Sequence, residues 1–249
     1  DREAVFLDKV LFPLLKRHPG LKIVLEHITT REGVAFVEAH PDRMGGTITP
    51  HHLNYNRNAI FKGGIRPHFY CLPIAKREEH RLALRRAATS GNPAFFLGTD
   101  TAPHSTDTKE CACGCAGVFN APVAMQVYTQ VFAEEGALAH LEAFASLNGP
   151  RFYGLPVNED TVTLERVEHL VPPSLNVGAA ELVPLFLDAL QQAGTARGQG
   201  CKLHIVEGSE GWRGELGKGE GAFVTGIGAT TTYPDYKPAP FIVSSKHDG

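Results

Sequence analysis

Short apolar runs that close on polar residues alternate in this chain with segments of helical period, and that alternation limits its fold most. Leu21-Lys22-Ile23-Val24-Leu25 is brief, β-branched and followed by Glu26-His27. Thr47-Ile48-Thr49 follows Gly45-Gly46 and stops at Pro50-His51-His52. Phe69-Tyr70-Cys71-Leu72 ends at Pro73, and Ala94-Phe95-Phe96-Leu97-Gly98 runs into Thr99-Asp100. Each reads as a buried strand bounded by turn residues. Between them, Arg31 to Ala39 reads as a helix capped by Thr29 or Thr30, and the charged stretch from Arg77 to Ala88 as a solvent-facing one. Helical period returns from Ala121 to Phe132 and from Ala137 to Phe144, and Ser146-Leu147-Asn148-Gly149-Pro150 closes that region. Strands alternating with helices predict a parallel α/β sheet. The 249 residues would suffice for a whole eight-stranded barrel. The visible strand–helix periods all precede residue 120, which fits half a barrel better.

The two ends of the chain read differently. Val5, Phe6, Val10, Leu11, Leu14 and Leu15 recur at three- and four-residue spacing on one helical face, with Asp1 as N-cap. A domain seldom starts on a helix, so an internal start is expected. Pro172-Pro173 marks a change in composition, and glycine then crowds the stretch from Gly194 to Gly228 without a sustained apolar period. Such a stretch loses much backbone entropy on ordering and buries little in return. Residues past about 190 are therefore expected to be flexible.

Composition narrows the function classes. With Lys+Arg 24 against Asp+Glu 27 and a net charge of -3, the chain has no cationic surplus to displace counterions from nucleic acid. No apolar stretch approaches the roughly 20 residues of a membrane span, and no secretory signal pattern opens the chain. The five cysteines are odd in number, and three crowd into Cys111-Ala112-Cys113-Gly114-Cys115. That arrangement argues against a disulfide framework and for a reducing, cytoplasmic compartment.

His27 and Asp100 are the residues with chemistry to offer. Each follows an apolar strand, at the edge where α/β proteins bind ligands. Alone, a histidine placed like His27 is more often hydrogen-bonded structure than ligand, and Asp100 serves as well for a turn cap as for a ligand. On neighbouring parallel strands they would meet at one mouth, where imidazole and carboxylate suit a divalent metal such as zinc. Two donors fall short of the three a catalytic zinc takes from its protein. His51 and His52 read as loop residues, pointing to opposite sides of an extended chain, that steer substrate or bond backbone. His68 reads as structural. The Cys-x-Cys-x-Cys run lacks the second half of a zinc knuckle and reads as a tight loop, in which Gly114 and Gly117 let backbone N–H groups approach an anion. Lys109-Glu110 beside it reads as solvated charge.

In order along the chain, six segments closely resemble one family: Glu26-His27-Ile28-Thr29-Thr30, Thr47-Ile48-Thr49-Pro50-His51-His52-Leu53, Arg66-Pro67-His68-Phe69-Tyr70-Cys71-Leu72-Pro73-Ile74, Gly98-Thr99-Asp100-Thr101-Ala102-Pro103-His104, Cys113-Gly114-Cys115-Ala116-Gly117 and Asn148-Gly149-Pro150-Arg151-Phe152-Tyr153-Gly154-Leu155. The family is the single-enzyme, type II dihydroorotases of the amidohydrolase superfamily. The resemblance covers Asp1 to about Phe186. It implies the C-terminal half of a (β/α)8 TIM-type barrel over residues 1–186, followed by an atypical tail over 187–249. It implies two zinc ions and reversible interconversion of L-dihydroorotate and N-carbamoyl-L-aspartate in pyrimidine biosynthesis. By the same resemblance His27 is a metal ligand, and Asp100 is a metal ligand and the general base and acid. Leu72 (through its backbone), His104 and Ala116 contact substrate, and the complete enzyme is expected to be a homodimer.

The departures from the family are also informative. Its His-x-His pair, carboxylated lysine, second bridging-side histidine and substrate-gripping arginine and asparagine would all lie before Asp1. The match fails after Phe186. Catalysis by this chain alone is therefore not expected. The alternatives are a non-catalytic dihydroorotase-like partner protein and another cyclic amidohydrolase such as a hydantoinase. An open half-barrel also exposes strand edges and apolar surface, so the chain is expected to dimerise or aggregate.

Overall fold

The computed structural model describes residues 2–159, 164–166, 171–185 and 203–205. Its sheet has three parallel strands, β1 (Ile23–Leu25), β2 (Met44–Ile48) and β3 (Phe95–Leu97), in the order β1-β2-β3. Leu25 pairs with Gly46, and Ile48 with Leu97. Parallel neighbours need crossovers, and helices supply them. The first crossover carries a helix over Arg31–Glu38. The second carries a short helix over Pro50–Asn54 and a longer one over Glu78–Thr89.

β2 is buried at every position, and its glycines lie inside the strand rather than ahead of it. A Cβ on Gly46 would come within 2.5 Å of Ile28 Cδ1, and one on Gly45 within 2.9 Å of the Phe96 ring. Close packing, rather than a turn, requires glycine there.

The first helical segment runs over Arg2–Phe6 (α1), a π-helical turn at Leu7–Leu11 and Phe12–Arg17 (α2). Leu7, Leu11 and Leu15, spaced by four, are its buried residues. Val5, Phe6 and Val10, expected on the buried face, are 57%, 45% and 49% exposed. The apolar stripe is wider than the stripe that packs. α3 (Arg31–Glu38) begins as expected, with the Thr30 side chain accepting from the Gly33 N–H. Glu3 crosses from α1 to accept from the N–H and hydroxyl groups of both Thr29 and Thr30, which ties the first helix to the end of β1.

Two expectations fail here. Phe69–Leu72 is not a strand: Pro67 opens a 3-10 turn over Pro67–Phe69, and the Tyr70 carbonyl accepts from the Gly117 N–H and from Lys109 instead of from a ladder partner. The described sheet thus has three strands where four were expected. The helix that follows Arg77, α5 (Glu78–Thr89, after the short α4, Pro50–Asn54), does not simply face solvent. It buries His80, Ala83, Leu84, Arg85, Ala87 and Ala88, and packs on α3 and α4.

The core lies between the sheet and its helices. α6 (Thr106–Lys109) is a single turn, and α7 (Ala124–Glu134) lays Tyr128 and Phe132 against Phe144, with ring centroids 5.5 and 5.3 Å apart. Burial of each such ring stabilises by about 1.5–3 kcal/mol. Tyr128, fully buried, donates its hydroxyl to the Ile48 carbonyl at 2.7 Å and so locks the end of β2 to α7. The segment Ser146–Pro150 does not close a region; it enters a helix, α8 (Asn148–Tyr153), whose Asn148 Nδ2 donates to Phe95 O on β3. Gly154, at φ +68°, ends it in the left-handed conformation that glycine adopts freely.

Beyond the sheet, β4 (Leu164–Arg166) pairs antiparallel with β7 (Leu203–Ile205). β5 (Leu175–Val177) and β6 (Ala180–Leu182) form a hairpin. The flexibility expected past residue 190, and the atypical tail of 187–249, concern positions that lie, β7 apart, outside the described residues.

Candidate active site

β1 and β3 flank β2, so His27 and Asp100 leave the same edge of the sheet from strands one apart, not from neighbours. At the usual strand spacing the two strand axes are roughly 10 Å apart. Thr47 of β2 fills the interval. Its hydroxyl accepts the His27 N–H at 2.7 Å, and a Cβ on Gly98 would lie 2.6 Å from Thr47 Cβ. Both candidate residues bend the chain in the same way, with φ of +42° at His27 and +45° at Asp100. Non-glycine residues rarely hold that conformation, and it clusters at functional sites.

Their electrostatics are complementary. Burial pushes the His27 imidazole below its ordinary range, against an opposing pull from Glu3. The ring is therefore neutral near pH 7, and its buried Nδ1 has no hydrogen-bond partner. A neutral imidazole with a free ring nitrogen is what a metal ligand requires. Burial, with Glu26 adding repulsion, pushes the Asp100 carboxyl up to about 7. Without a metal the charged form is thus disfavoured, and a cation beside Asp100 would relieve that penalty and favour the ligating carboxylate. The donor types and the orphaned nitrogen fit a divalent metal, although these two residues alone do not complete its coordination.

His51 and His52 are not on an extended loop. Thr49 caps and Pro50 opens α4, so both histidines sit in a helical turn, 3% and 2% exposed, with ring centroids 4.4 Å apart. Among the described residues, His51, His52 and Cys71 bring three possible ligand atoms within 4.8 Å of one another. Hydrogen bonding already occupies that group. His52 bonds Thr49 Oγ1 at 2.8 Å and the Pro73 carbonyl at 2.9 Å, and burial pushes the Cys71 thiol up to about 12. It is a hydrogen-bonded core cluster as it stands. His51 differs in one respect: Nδ1 meets Asn120 Nδ2 at 3.1 Å, while its buried Nε2 has no partner.

Leu72, His104 and Ala116 belong to a second assembly. Leu72 follows buried Cys71 and is itself 61% exposed. The His104 ring bonds the Ala116 carbonyl at 3.0 Å. Gly114 and Gly117 hold φ of +56° and +146°, and a Cβ on Gly117 would meet the Ala102 carbonyl at 2.5 Å, so the tight glycine loop is present. His68 pairs with Glu110 at 2.9 Å. The four described cysteines, Cys71, Cys111, Cys113 and Cys115, are all free. Lys109 is the correction. Expected in solvent, it is 2% exposed, and its Nζ donates to the carbonyls of Tyr70 (3.0 Å), Cys115 (2.7 Å) and Gly117 (2.7 Å). No local pattern signals this, because the acceptors come from two separate loops. Nor does any helix among the described residues have the length and apolarity to cross a membrane.

No protein-family model matches the chain. Curated relatives do. The dihydroorotase of Synechococcus sp. (strain CC9605) is 63% identical over 176 residues, 71% of this chain and 51% of the relative. That of Erythrobacter litoralis (strain HTCC2594) is 61% identical over 184 residues, 74% of this chain and 54% of the relative. The chain thus spans about half the length of the curated relatives it matches. Among solved structures, the dihydroorotase of Saccharomyces cerevisiae in complex with 5-fluoroorotic acid superposes with a TM-score of 0.66 at 33% identity, covering 70% of this chain and 51% of that one. The Campylobacter jejuni dihydroorotase gives 0.65 at 36% identity, covering 72% and 51%. The L-hydantoinase of Arthrobacter aurescens, at 0.51 and 18% identity over 67% of this chain and 39% of that one, shares the fold alone. The architecture is accordingly α/β, a part of a TIM-type barrel.

Proposed function

We propose that this chain, a homologue of the dihydroorotases, supplies one metal-binding histidine, the proton-transfer carboxylate and part of the substrate cradle of a dihydroorotase. The enzyme would hydrolyse L-dihydroorotate reversibly to N-carbamoyl-L-aspartate. The observation that carries this reading is the pair at the sheet edge: a buried imidazole with an unpaired Nδ1 and a buried carboxyl, each on a left-handed residue at a strand end.

His27 and Asp100 would hold zinc, two ions being the number expected, with the remaining donors supplied by the part of the relatives this chain does not span. Bound zinc supplies Lewis acidity and a water of lowered pKa. Asp100 takes the proton from the water that attacks the ring carbonyl, then delivers it to the departing ring nitrogen; the ring opens and the electron pair leaves with that nitrogen. Cyclisation runs through the same groups in reverse. Leu72 through its backbone, His104 and the backbone at Ala116 hold the substrate, His104 and the Ala116 amide facing its carboxylate. The Gly98 backbone pressed against Thr47 keeps Asp100 at one height relative to His27. Residues 1–186 would form the barrel part and 187–249 a separate tail, within a cytoplasmic homodimer.

The test is to assay dihydroorotate hydrolysis by this chain with zinc, alone and mixed with the amino-terminal half of a dihydroorotase. Activity only in the mixture, abolished by Asp100→Asn, is the expected result. An active chain without the added half overturns this account of the metal site.

A further inference from the structure

We propose that Lys109 is a positioning residue of this site: its buried ammonium joins the Leu72 and Ala116 segments and aims the Ala116 N–H at the substrate carboxylate. The inference rests on the dihydroorotase reading and extends it to a residue outside the expected machinery. An ammonium has three N–H donors, and here each has its own carbonyl, at Tyr70, Cys115 and Gly117. These carbonyls flank the proposed substrate contacts. Tyr70 stands two residues before Leu72, and Cys115 and Gly117 stand on either side of Ala116. The Gly117 N–H also donates to Tyr70 O at 3.0 Å, and the His104 ring bonds Ala116 O at 3.0 Å. Leu72, His104 and Ala116 therefore share one scaffold with Lys109 at its centre.

The Cys115 carbonyl and the Ala116 N–H belong to the same peptide group. A cation 2.7 Å from that oxygen orients the peptide plane and draws electron density toward oxygen, which strengthens the N–H as a donor. Burying a cation is costly without a counter-charge, and no ion pair to Lys109 is made among the described residues. Carbonyl bonds to the loop are its compensation, and the loop is organised around it.

The assembled enzyme, this chain with the amino-terminal half, is assayed with Lys109→Met. We expect KM for dihydroorotate to rise about tenfold, the loss of one charge-assisted bond's worth of binding, with kcat within about twofold. Inhibition by orotate, which carries the carboxylate, should weaken by the same factor. Should Lys109→Met fail to fold, Lys109→Gln keeps an amide donor for part of the scaffold and should raise KM by a smaller factor. An unchanged KM in a folded variant, or equal losses in kcat and binding, overturns the positioning role. A wild-type assembly that hydrolyses no dihydroorotate overturns the dihydroorotase reading and this proposal with it, and the wild-type control tells that outcome from the others.

Discussion

His27 and Asp100 each hold a backbone conformation that costs on the order of 1 kcal/mol or more for a residue with a Cβ. Asp100 adds a carboxyl that burial disfavours in its charged form. Its folded pKa of about 7 lies above the ordinary value of 3.8, so the native state binds more protons between those limits. Stability from this group is thus present below about pH 4 and lost as pH rises toward 7. Asp100→Asn removes the penalty along with the proposed general base. In metal-free protein, the variant should equal or exceed the parent in urea stability at pH 8, while its hydrolysis in the assembled enzyme falls by at least about a hundredfold. A variant less stable than the parent at pH 8 would contradict this account. His52 works with the opposite sign. Its folded pKa of about 3 lies below 6.5, so its contribution is present above pH 6.5 and lost as pH falls toward 3. The stability gap between the parent and His52→Gln should therefore narrow over that range in urea titrations; a pH-independent gap would show that the ring is not held neutral.

At the level of elements, the strand ends were legible because an apolar run that stops on a histidine or an aspartate changes character abruptly. The first-crossover helix was equally legible from its Thr cap. Phe69–Leu72 was not, since the same apolar run suits a ladder and a segment bonded to a loop; the turn at Pro67 and the bonds of the Gly117 N–H and Lys109 to the Tyr70 carbonyl decide between the two. His51 and His52 could have been placed in a helix, because Thr49 before Pro50 is an N-cap followed by proline at the first turn. The burial of Lys109 had no local sign at all. The contact between β2 and β3 yields a test of how these elements position the site. A methyl on Gly98 would drive into Thr47 Cβ, a branched and backbone-anchored atom that cannot swing away. Gly98→Ala should destabilise by about 1–3 kcal/mol and displace Asp100 two residues on, so activity of the assembled enzyme should fall further than stability does. Wild-type stability in urea with wild-type kcat would mean that this contact does not set the height of Asp100.

For the molecule as a whole, the partial barrel and the proposed metal site have the same consequence. β1 and β3 are the two edge strands of the described sheet, with Phe95 of β3 already bonded through its N–H to Asn92 O and through its carbonyl to Asn148 Nδ2. Val5, Phe6 and Val10 stand exposed together along the first helical segment, and a cavity of about 490 Å³ opens beside them, lined also by Arg2 and Lys9. Exposed apolar residues next to open strand edges favour association. The proposed metal donors, His27 and Asp100, fall short of the three that even a single catalytic zinc draws from protein. Both deficits would be met by the same missing surface, the other half of the barrel, so they should be relieved together. The chain alone should elute as a dimer or larger species and retain less than one tightly bound zinc per chain after dialysis. Added amino-terminal half of a dihydroorotase should convert it to a defined complex, raise its zinc content and restore hydrolysis in one titration with a common midpoint. If the chain alone is a well-folded monomer with cooperative unfolding, the half-barrel surface is not what drives association. If zinc binds fully before the added half does, the proposed donors are supplemented from within this chain.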